Sequence, residues 1–236
     1  MYGVVPAAGN GTRLRPLTDE TPKAMVEVAG RPLVSHVFDR LLAVGVDHLV
    51  VVVGYEMGAI VDRFGDRYRE TPITYVHQRE QLGLGHAIAR CEPVVSGTFV
   101  VCNGDNVFET PQRAAVDRAR ASEVDAVLLV EDVSREAARK TGVVETDGDR
   151  VRRVVEKPAE PPSRLSTTGW YVLPEEIFPA LELLRPSDRG EYELADAVSV
   201  LATAGATIET VPLDGRRVNV NTPADVDRAE ALLADR

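Results

Sequence analysis

The sequence predicts an α/β protein: a mixed, mainly parallel central sheet flanked by helices, with a small antiparallel appendage. Two observations carry this. Through the first half, short β-branched apolar runs alternate with segments whose apolar residues recur at helical spacing. That rhythm makes βαβ units, whose right-handed crossovers put helices on both faces of a parallel sheet. The second half instead carries short strands joined across an Asp-Gly turn, the mark of a hairpin.

Tyr2–Pro6 is a short apolar strand, and a polar loop, Ala7–Arg15, follows it. Leu33, Val34, Val37, Phe38, Leu41 and Leu42 line one helical face, and Gly45 ends that helix. His48–Val53 is a continuous β-branched run, as a strand covered on both faces requires. Ile60–Phe64 falls in a second helix, Ile73–Val76 in a strand, Gly85–Cys91 in a short helix and Thr98–Cys102 in another buried strand. Thr110-Pro111 has the N-cap and N1 residues of a further helix, and Ala126–Val130 is again a strand. Val143–Glu145 and Val151–Glu156 flank Asp147-Gly148-Asp149 as a hairpin, and a proline-rich loop runs from Pro158 to Pro162. Helices are expected from Leu173-Pro174-Glu175-Glu176 onward, over Glu191–Leu201, and from Thr222-Pro223-Ala224-Asp225 to the terminus; Ile208–Pro212 and Arg217–Val220 are short strands.

With 236 residues and no internal repeat, the chain suits one domain, residues 1–236, rather than two modules. Its net charge of −10 disfavours broad electrostatic capture of nucleic acid. No apolar run approaches the ~20 residues of a membrane helix, and Tyr2-Gly3-Val4-Val5 does not open a signal peptide. Cys91 and Cys102 sit in apolar segments and read as reduced, buried thiols of a cytoplasmic protein. Only Lys23, Lys140 and Lys157 are lysines among 27 basic residues, so a lysine here is seldom surface filler.

The most informative stretch is Pro6-Ala7-Ala8-Gly9-Asn10-Gly11-Thr12-Arg13-Leu14-Arg15-Pro16-Leu17-Thr18, with Pro22-Lys23 beyond it. Small residues directly after a strand let the backbone approach a ligand, and successive N–H groups form an anion cradle. Arg13 and Lys23 add positive charge beside it. Leu14 stands where a dinucleotide fingerprint needs its third glycine, and the P-loop pattern is absent. Asp105, at the end of a buried strand, is a carboxylate of the kind that holds Mg²⁺ against phosphates.

This pattern resembles the sugar nucleotidyltransferases, the nucleotide-sugar pyrophosphorylases, and within them the glucose-1-phosphate thymidylyl- and uridylyltransferase group. Later motifs recur in order: Gln78 with Leu82-Gly83-Leu84-Gly85-His86-Ala87, Asn103-Gly104-Asp105-Asn106, Thr141-Gly142-Val143-Val144, Glu156-Lys157-Pro158, Thr168-Gly169-Trp170-Tyr171, Gly190-Glu191-Tyr192-Glu193-Leu194 and Asn219-Val220-Asn221-Thr222-Pro223. The resemblance implies a Rossmann-like nucleotidyltransferase fold, with a nucleotide-binding part over about 1–132 and a sugar-binding part over about 133–236. It implies an NTP (dTTP or UTP favoured) and a sugar 1-phosphate (glucose 1-phosphate favoured) as substrates, and Mg²⁺ as cofactor. Relatives are commonly homo-oligomers.

Residue by residue, the resemblance implies that Ala7, Ala8, Gly9, Gly11, Thr12 and Arg13 hold the phosphates, while Gln78 and Gly83 read the base. Arg13, Lys23, Asp105 and Lys157 are the expected catalytic residues, with Lys157 on the sugar phosphate. Gly142, Glu156, Thr168, Tyr171 and Glu191 are expected around the sugar. Asp105 and Asn219 are the expected metal ligands, with Asn221 as the alternative. The departure lies there: Asn219 stands where thymidylyltransferase relatives carry an aspartate, and Arg217 where they carry tryptophan. That leaves open two other readings, a non-catalytic nucleotide-sugar-binding subunit and a cytidylyl- or guanylyltransferase. The left-handed β-helix acyltransferase domain that some relatives append has no counterpart in these 236 residues.

Overall fold

A computed structural model describes residues 1–54, 57–121 and 123–235. The chain forms β1 (Tyr2–Pro6), β2 (Glu27–Val28), β3 (Arg31–Pro32), α1 (Leu33–Ala43), β4 (His48–Val53), α2 (Met57–Phe64), β5 (Arg67–Tyr68), β6 (Thr71–His77) and α3 (Leu84–Ala89). It continues through β7 (Phe99–Cys102), β8 (Asn106–Phe108), α4 (Arg113–Ala119), β9 (Ala126–Asp132), α5 (Arg135–Ala138), β10 (Gly142–Asp147) and β11 (Arg150–Glu156). The last elements are β12 (Leu165–Leu173), α6 (Ile177–Glu182), α7 (Leu194–Thr203), β13 (Ile208–Pro212), β14 (Arg217–Asn219) and α8 (Pro223–Ala234).

Ten of these strands form one mixed sheet in the order β10-β11-β13-β9-β12-β7-β1-β4-β6-β5. The run β7-β1-β4-β6 is parallel throughout. The chain steps outward from β1 to β4 and β6, then returns to place β7 on the other side of β1. The crevice between the carboxyl ends of β1 and β7 is therefore a topological switch point, where open α/β sheets take their ligands.

Both faces of the sheet are covered, so alternate residues of one strand enter different cores. Val4, Val50, Val52 and Val101 pack under α3, α6 and α7. Val5, Val51, Val53, Val100 and Cys102 pack under α1, α2 and α4. That two-sided burial is why His48–Val53 reads as an unbroken apolar run. Cys91 and Cys102 are buried free thiols; burial pushes the Cys91 thiol up to about 12.

A third, smaller cluster matters for the site. Leu14, Val28, Leu33, Val107, Val220, Ala229 and Leu232 bury one another where α8 covers two small antiparallel sheets, β2–β3 and β8–β14. Leu14 thereby anchors the loop after β1 against the same cluster as Val220, which lies between the two asparagines of the C-terminal motif.

The structure corrects several local expectations. β12 was not anticipated as a strand, yet it lies at the centre of the sheet, antiparallel to both β7 and β9. Its buried run holds Ser166, Thr167, Thr168 and the positive-φ Gly169, so it shows neither alternation nor a continuous apolar signature. The β10–β11 hairpin joins the edge of the main sheet; the detached antiparallel pieces are the two small sheets. Thr110 does not cap α4, whose N-cap is Gln112; its hydroxyl donates to the Asp214 carbonyl at 2.7 Å. The helices expected from Leu173 and Glu191 start later, at Ile177 and Leu194.

Thr222 and Asp225 open α8 with a capping box. Asp225 Oδ2 accepts from the Asn221 N–H at 2.9 Å, the Thr222 N–H at 2.8 Å and the Thr222 hydroxyl at 2.9 Å. Burial raises the Asp225 pKa, but the hydrogen bonds from Arg228, Asn221 and Thr222 outweigh it and hold the carboxyl below its usual range. Asp225→Ala is expected to destabilise the fold by about 1–2 kcal/mol at neutral pH, read from the urea midpoint. The carboxylate's contribution exists above the unfolded-state value near ~3.9 and is lost as pH falls through the lower folded value. The deficit should therefore persist to about pH 4 and shrink only below it.

Candidate functional site

At the switch point lies a cavity of about 320 Å³, lined among others by Ala7, Ala8, Gly9, Lys23, Gln78, Gln81, Gly83, Asn103, Asp105 and Glu191. The carboxyl ends of β1, β6 and β7 deliver most of these residues. After Ala7, whose N–H donates to the Val52 carbonyl at 2.8 Å, the loop leaves the sheet. The N–H groups of Ala8, Gly9, Asn10 and Gly11 find no protein acceptor among the described residues. Successive free amides at the end of a parallel strand are groups able to receive an anion. Thr12 and Arg13 follow in a short 3₁₀ turn on the outer side of this loop.

Asp105 reaches the cavity because Gly104 precedes it. A Cβ on Gly104 would lie 2.7 Å from the Pro6 carbonyl oxygen, so only glycine lets the β7 loop cross the end of β1 this closely. Lys23 Nζ donates to Asp105 Oδ2 at 2.6 Å and to Asn221 Oδ1 at 3.0 Å. Arg13 Nη2 donates to the same Asn221 oxygen at 2.8 Å, and Asn221 Nδ2 donates to Asn219 Oδ1 at 2.8 Å. The β8–β14 ladder pairs Asn219 with Asn106, and the Val220 N–H donates to the Asp105 carbonyl at 2.8 Å. Beneath it, Arg217 is almost wholly buried and bridges Glu131 and Asn106. Of the two asparagines, Asn221 stands directly on the Lys23–Asp105 pair and Asn219 supports it.

The donor set fits a magnesium ion. Asp105 Oδ1 is buried with no partner among the described residues, and neutral amide oxygens stand beside the carboxylate. Mg²⁺ needs one or two carboxylates and completes its shell with phosphate oxygens and water. No cluster of three or more His, Cys, Asp or Glu occurs among the described residues, and such an ion requires none.

Gln78 is buried beside the cavity. Its Nε2 donates to the Gly83 carbonyl at 3.2 Å and lies 3.0 Å from His86 Nδ1. A carbonyl can only accept, so the amide orientation is set, and Oε1 is left without a protein partner among the described residues. His86 thus orients Gln78, a role that a helix-terminal histidine does not advertise. Gly83 has φ +99, and a Cβ there would lie 2.8 Å from the Tyr192 carbonyl oxygen.

The expected sugar residues gather at the ends of β10 and β11 and run to the cavity through Glu191. A Cβ on Gly142 would lie 2.9 Å from Thr167 Oγ1 and 3.1 Å from Glu156 Oε2. Lys157 is held at φ +45, a left-handed conformation rare for a non-glycine residue, with Nζ 3.5 Å from Glu156 Oε1. Sequence reasoning passed over Arg189 and Glu193. Arg189 Nη2 lies 2.6 Å from Glu193 Oε1, 3.4 Å from Glu191 Oε2 and 3.9 Å from Glu156 Oε1. The i, i+2 spacing of Glu191 and Glu193 in an extended segment was the available signal. Thr168 is buried, and its hydroxyl donates to the Leu129 carbonyl at 3.0 Å. Thr167, also buried, accepts from the Tyr171 hydroxyl at 3.2 Å. Burial pushes the Tyr171 phenol up to about 12, so it stays neutral.

Burial also raises the Glu156 carboxyl pKa, and the Glu193 charge adds to this; Lys157 and Arg189 offset only part. The ionised form is thus disfavoured in the fold. Its cost is absent below the unfolded-state value near ~4.3 and grows as pH rises through the folded value. Glu156→Gln should melt at a higher temperature than the parent at pH 7–8, with the gap closing toward pH 4; a lower melting temperature at neutral pH would contradict this.

A family model described as nucleotidyl transferase matches residues 2–216. The chain is 46% identical over 236 residues to the UTP--glucose-1-phosphate uridylyltransferase AglF of Haloferax volcanii, covering 100% of this chain and 97% of that one. It is 34% identical over 233 residues to the bifunctional protein GlmU of Methanococcus maripaludis, covering 96% of this chain but 53%, about half, of that longer relative. Among solved structures, a Bacillus anthracis protein assigned as a glucose-1-phosphate thymidylyltransferase, in complex with sucrose, matches with a TM-score of 0.90 at 28% identity over 100% of this chain and 96% of that one. The glycine loop, the switch-point cavity and these likenesses agree: the chain belongs to the nucleotidyl transferase family.

Proposed function

We propose that this protein transfers a nucleotidyl group from UTP, or less readily dTTP, to a sugar 1-phosphate, with glucose 1-phosphate favoured, releasing pyrophosphate and a nucleotide sugar. The observation that carries the reading is the convergence of the free amides of Ala8 and Gly9 with Lys23, Asp105 and Gln78 on one cavity at the switch point. In this reading one domain holds the nucleotide with residues of about 1–132 and the sugar with residues of about 133–236.

The base lies against Gln78 and Gly83. The unpartnered Gln78 Oε1 accepts from the imide N–H that uracil and thymine share; cytosine has an acceptor at that position. The 46% identity to a protein named for UTP supports UTP over dTTP. Phosphates lie along Ala7, Ala8, Gly9, Gly11 and Thr12, with Arg13 facing the departing pyrophosphate. Asp105, with Asn221 and Asn219, would hold Mg²⁺, which supplies positive charge to the phosphate oxygens when bound. Gly142, Glu156, Thr167, Tyr171 and Glu191 surround the sugar, and Lys157 and Arg189 hold its phosphate.

A sugar-phosphate oxygen attacks the α-phosphorus in line; the new P–O bond forms as the bond to the β-bridging oxygen breaks, and that electron pair leaves with pyrophosphate. The nucleophile is already an anion, so no base must deprotonate it. No serine, cysteine or histidine stands among the residues lining the cavity. What this chain supplies is alignment and neutralisation of charge. Arg13, Lys23, Lys157 and Arg189 bring cations to this region in a protein of net charge −10, with Lys23 paired to Asp105, Lys157 to Glu156 and Arg189 to Glu193. No helix of the described residues is long and apolar enough to cross a membrane. We take the protein to act in the cytoplasm, a reading that the buried, unbridged thiols support.

Pyrophosphate release should be seen with UTP and glucose 1-phosphate in the presence of Mg²⁺ when UTP, dTTP, CTP and GTP are compared. Silence with every nucleotide in folded protein would dismiss the reading. Asp105→Asn is expected to lower turnover by more than ~10²-fold, because it removes the one carboxylate placed for the metal. Near-parental turnover in that variant would show that the metal is held elsewhere.

A further inference from the structure

The stretch between Gln78 and Gly83 carries no regular secondary structure, yet it crosses from the base-reading side of the cavity to the glycine loop. Gln81 makes the crossing. Its Nε2 donates to the Ala8 carbonyl at 2.6 Å and to Asn10 Oδ1 at 2.7 Å.

The glycine loop has little else to hold it at this point. Gly9 and Asn10 are exposed, and a Cβ on Gly9 would have nothing within 4 Å. Residues 8–11 donate no backbone hydrogen bond to the protein among the described residues. Packing does not orient the peptides at Gly9 and Asn10, and at Ala8 it comes from one side, where a Cβ on Gly54 would lie 2.9 Å from the Ala8 oxygen. A peptide unit is planar and trans, so the Ala8 carbonyl and the Gly9 N–H point in opposite directions as one rigid body. Whatever pins the Ala8 oxygen also aims the Gly9 N–H. Gln81 is itself anchored, since the adjacent Leu82 carbonyl accepts from the Tyr192 N–H at 2.7 Å, and the Gly85 N–H donates to the Tyr192 carbonyl at 2.8 Å. The base-reading segment is thus tied to the sugar side by backbone and to the phosphate loop by one side chain.

We propose that Gln81 is a positioning residue: its amide holds the Ala8–Gly9 peptide so that the Gly9 N–H meets the nucleotide polyphosphate, coupling base reading at Gln78 to phosphate binding. This deepens the nucleotidyl-transfer reading and rests on it.

The test compares Gln81→Ala, Gln81→Glu and Asn10→Ala with the parent by steady-state kinetics with UTP and glucose 1-phosphate, and by calorimetric titration with UTP. Loss of two hydrogen bonds predicts a roughly 5- to 30-fold rise in the KM for UTP in Gln81→Ala. Such a loss of ground-state binding leaves kcat within about threefold and the KM for glucose 1-phosphate within about twofold. Gln81→Glu keeps the size but loses the donor, and faces two acceptors with a charge; it should bind UTP no better than Gln81→Ala. Asn10→Ala keeps the Ala8 bond and should show a smaller rise. The KM for pyrophosphate in the reverse direction should rise with that for UTP.

An unchanged UTP affinity in both Gln81 variants, or equal rises in the KM for UTP and for the sugar phosphate, would overturn the assignment. Turnover absent from the parent with every nucleotide would sink the nucleotidyl-transfer reading. An active parent beside an unaffected Gln81→Ala would sink this inference alone, and calorimetry with UTP decides it even where turnover is not measured.

Discussion

The ion pair between Lys23 and Asp105 is the contact on which the site depends. It joins the segment after the glycine loop to the end of β7, and through Asn221 it adds the C-terminal motif. Three stretches distant in sequence thus share one ammonium group. Both side chains are largely shielded from water, at 14% and 23% exposure. Loss of either partner alone would leave a shielded charge without its counter-charge, which costs more than the intact pair contributes. The neighbouring frame carries this contact rather than being carried by it. The β8–β14 ladder and the cluster around Leu14 and Val220 bring the segments together first.

Rigidity and freedom are divided according to chemistry. The floor of the site is the buried carboxyl edge of a parallel sheet packed on both faces. Several polar groups around the cavity are left uncommitted among the described residues: free amides of the glycine loop and the unpartnered Asp105 Oδ1. Unsatisfied polar groups of this kind destabilise a fold, so their concentration in one cleft marks where a ligand is meant to complete them. The same holds at Glu156, which burial drives toward its neutral form, and at Lys157, whose backbone sits in a strained conformation.

The acidic protein, of net charge −10, sets the cations of this region against carboxylates: Lys23 pairs with Asp105, Lys157 with Glu156 and Arg189 with Glu193. Lys23 and Lys157 are two of only three lysines, and both stand in the site. Asparagines at 219 and 221 add amide oxygens next to Lys23 without adding negative charge.

Local signals in the sequence determined the fold class, the parallel first half, the hairpin, the start of α8 and the polar glycine loop that follows β1. Those features are written in periodicity, turn chemistry and glycine spacing, which act over a few residues. Tertiary structure alone decided the rest. The central place of β12 depends on neighbours that bury both of its faces, which erases the alternation by which strands are recognised. The irregular register between β12 and β9 from Thr167 to Tyr171 is another feature that no spacing reveals. Arg189 and Gln81 became visible only through partners up to 73 residues away, because a side chain's role there is set by what the folded backbone brings within hydrogen-bond reach.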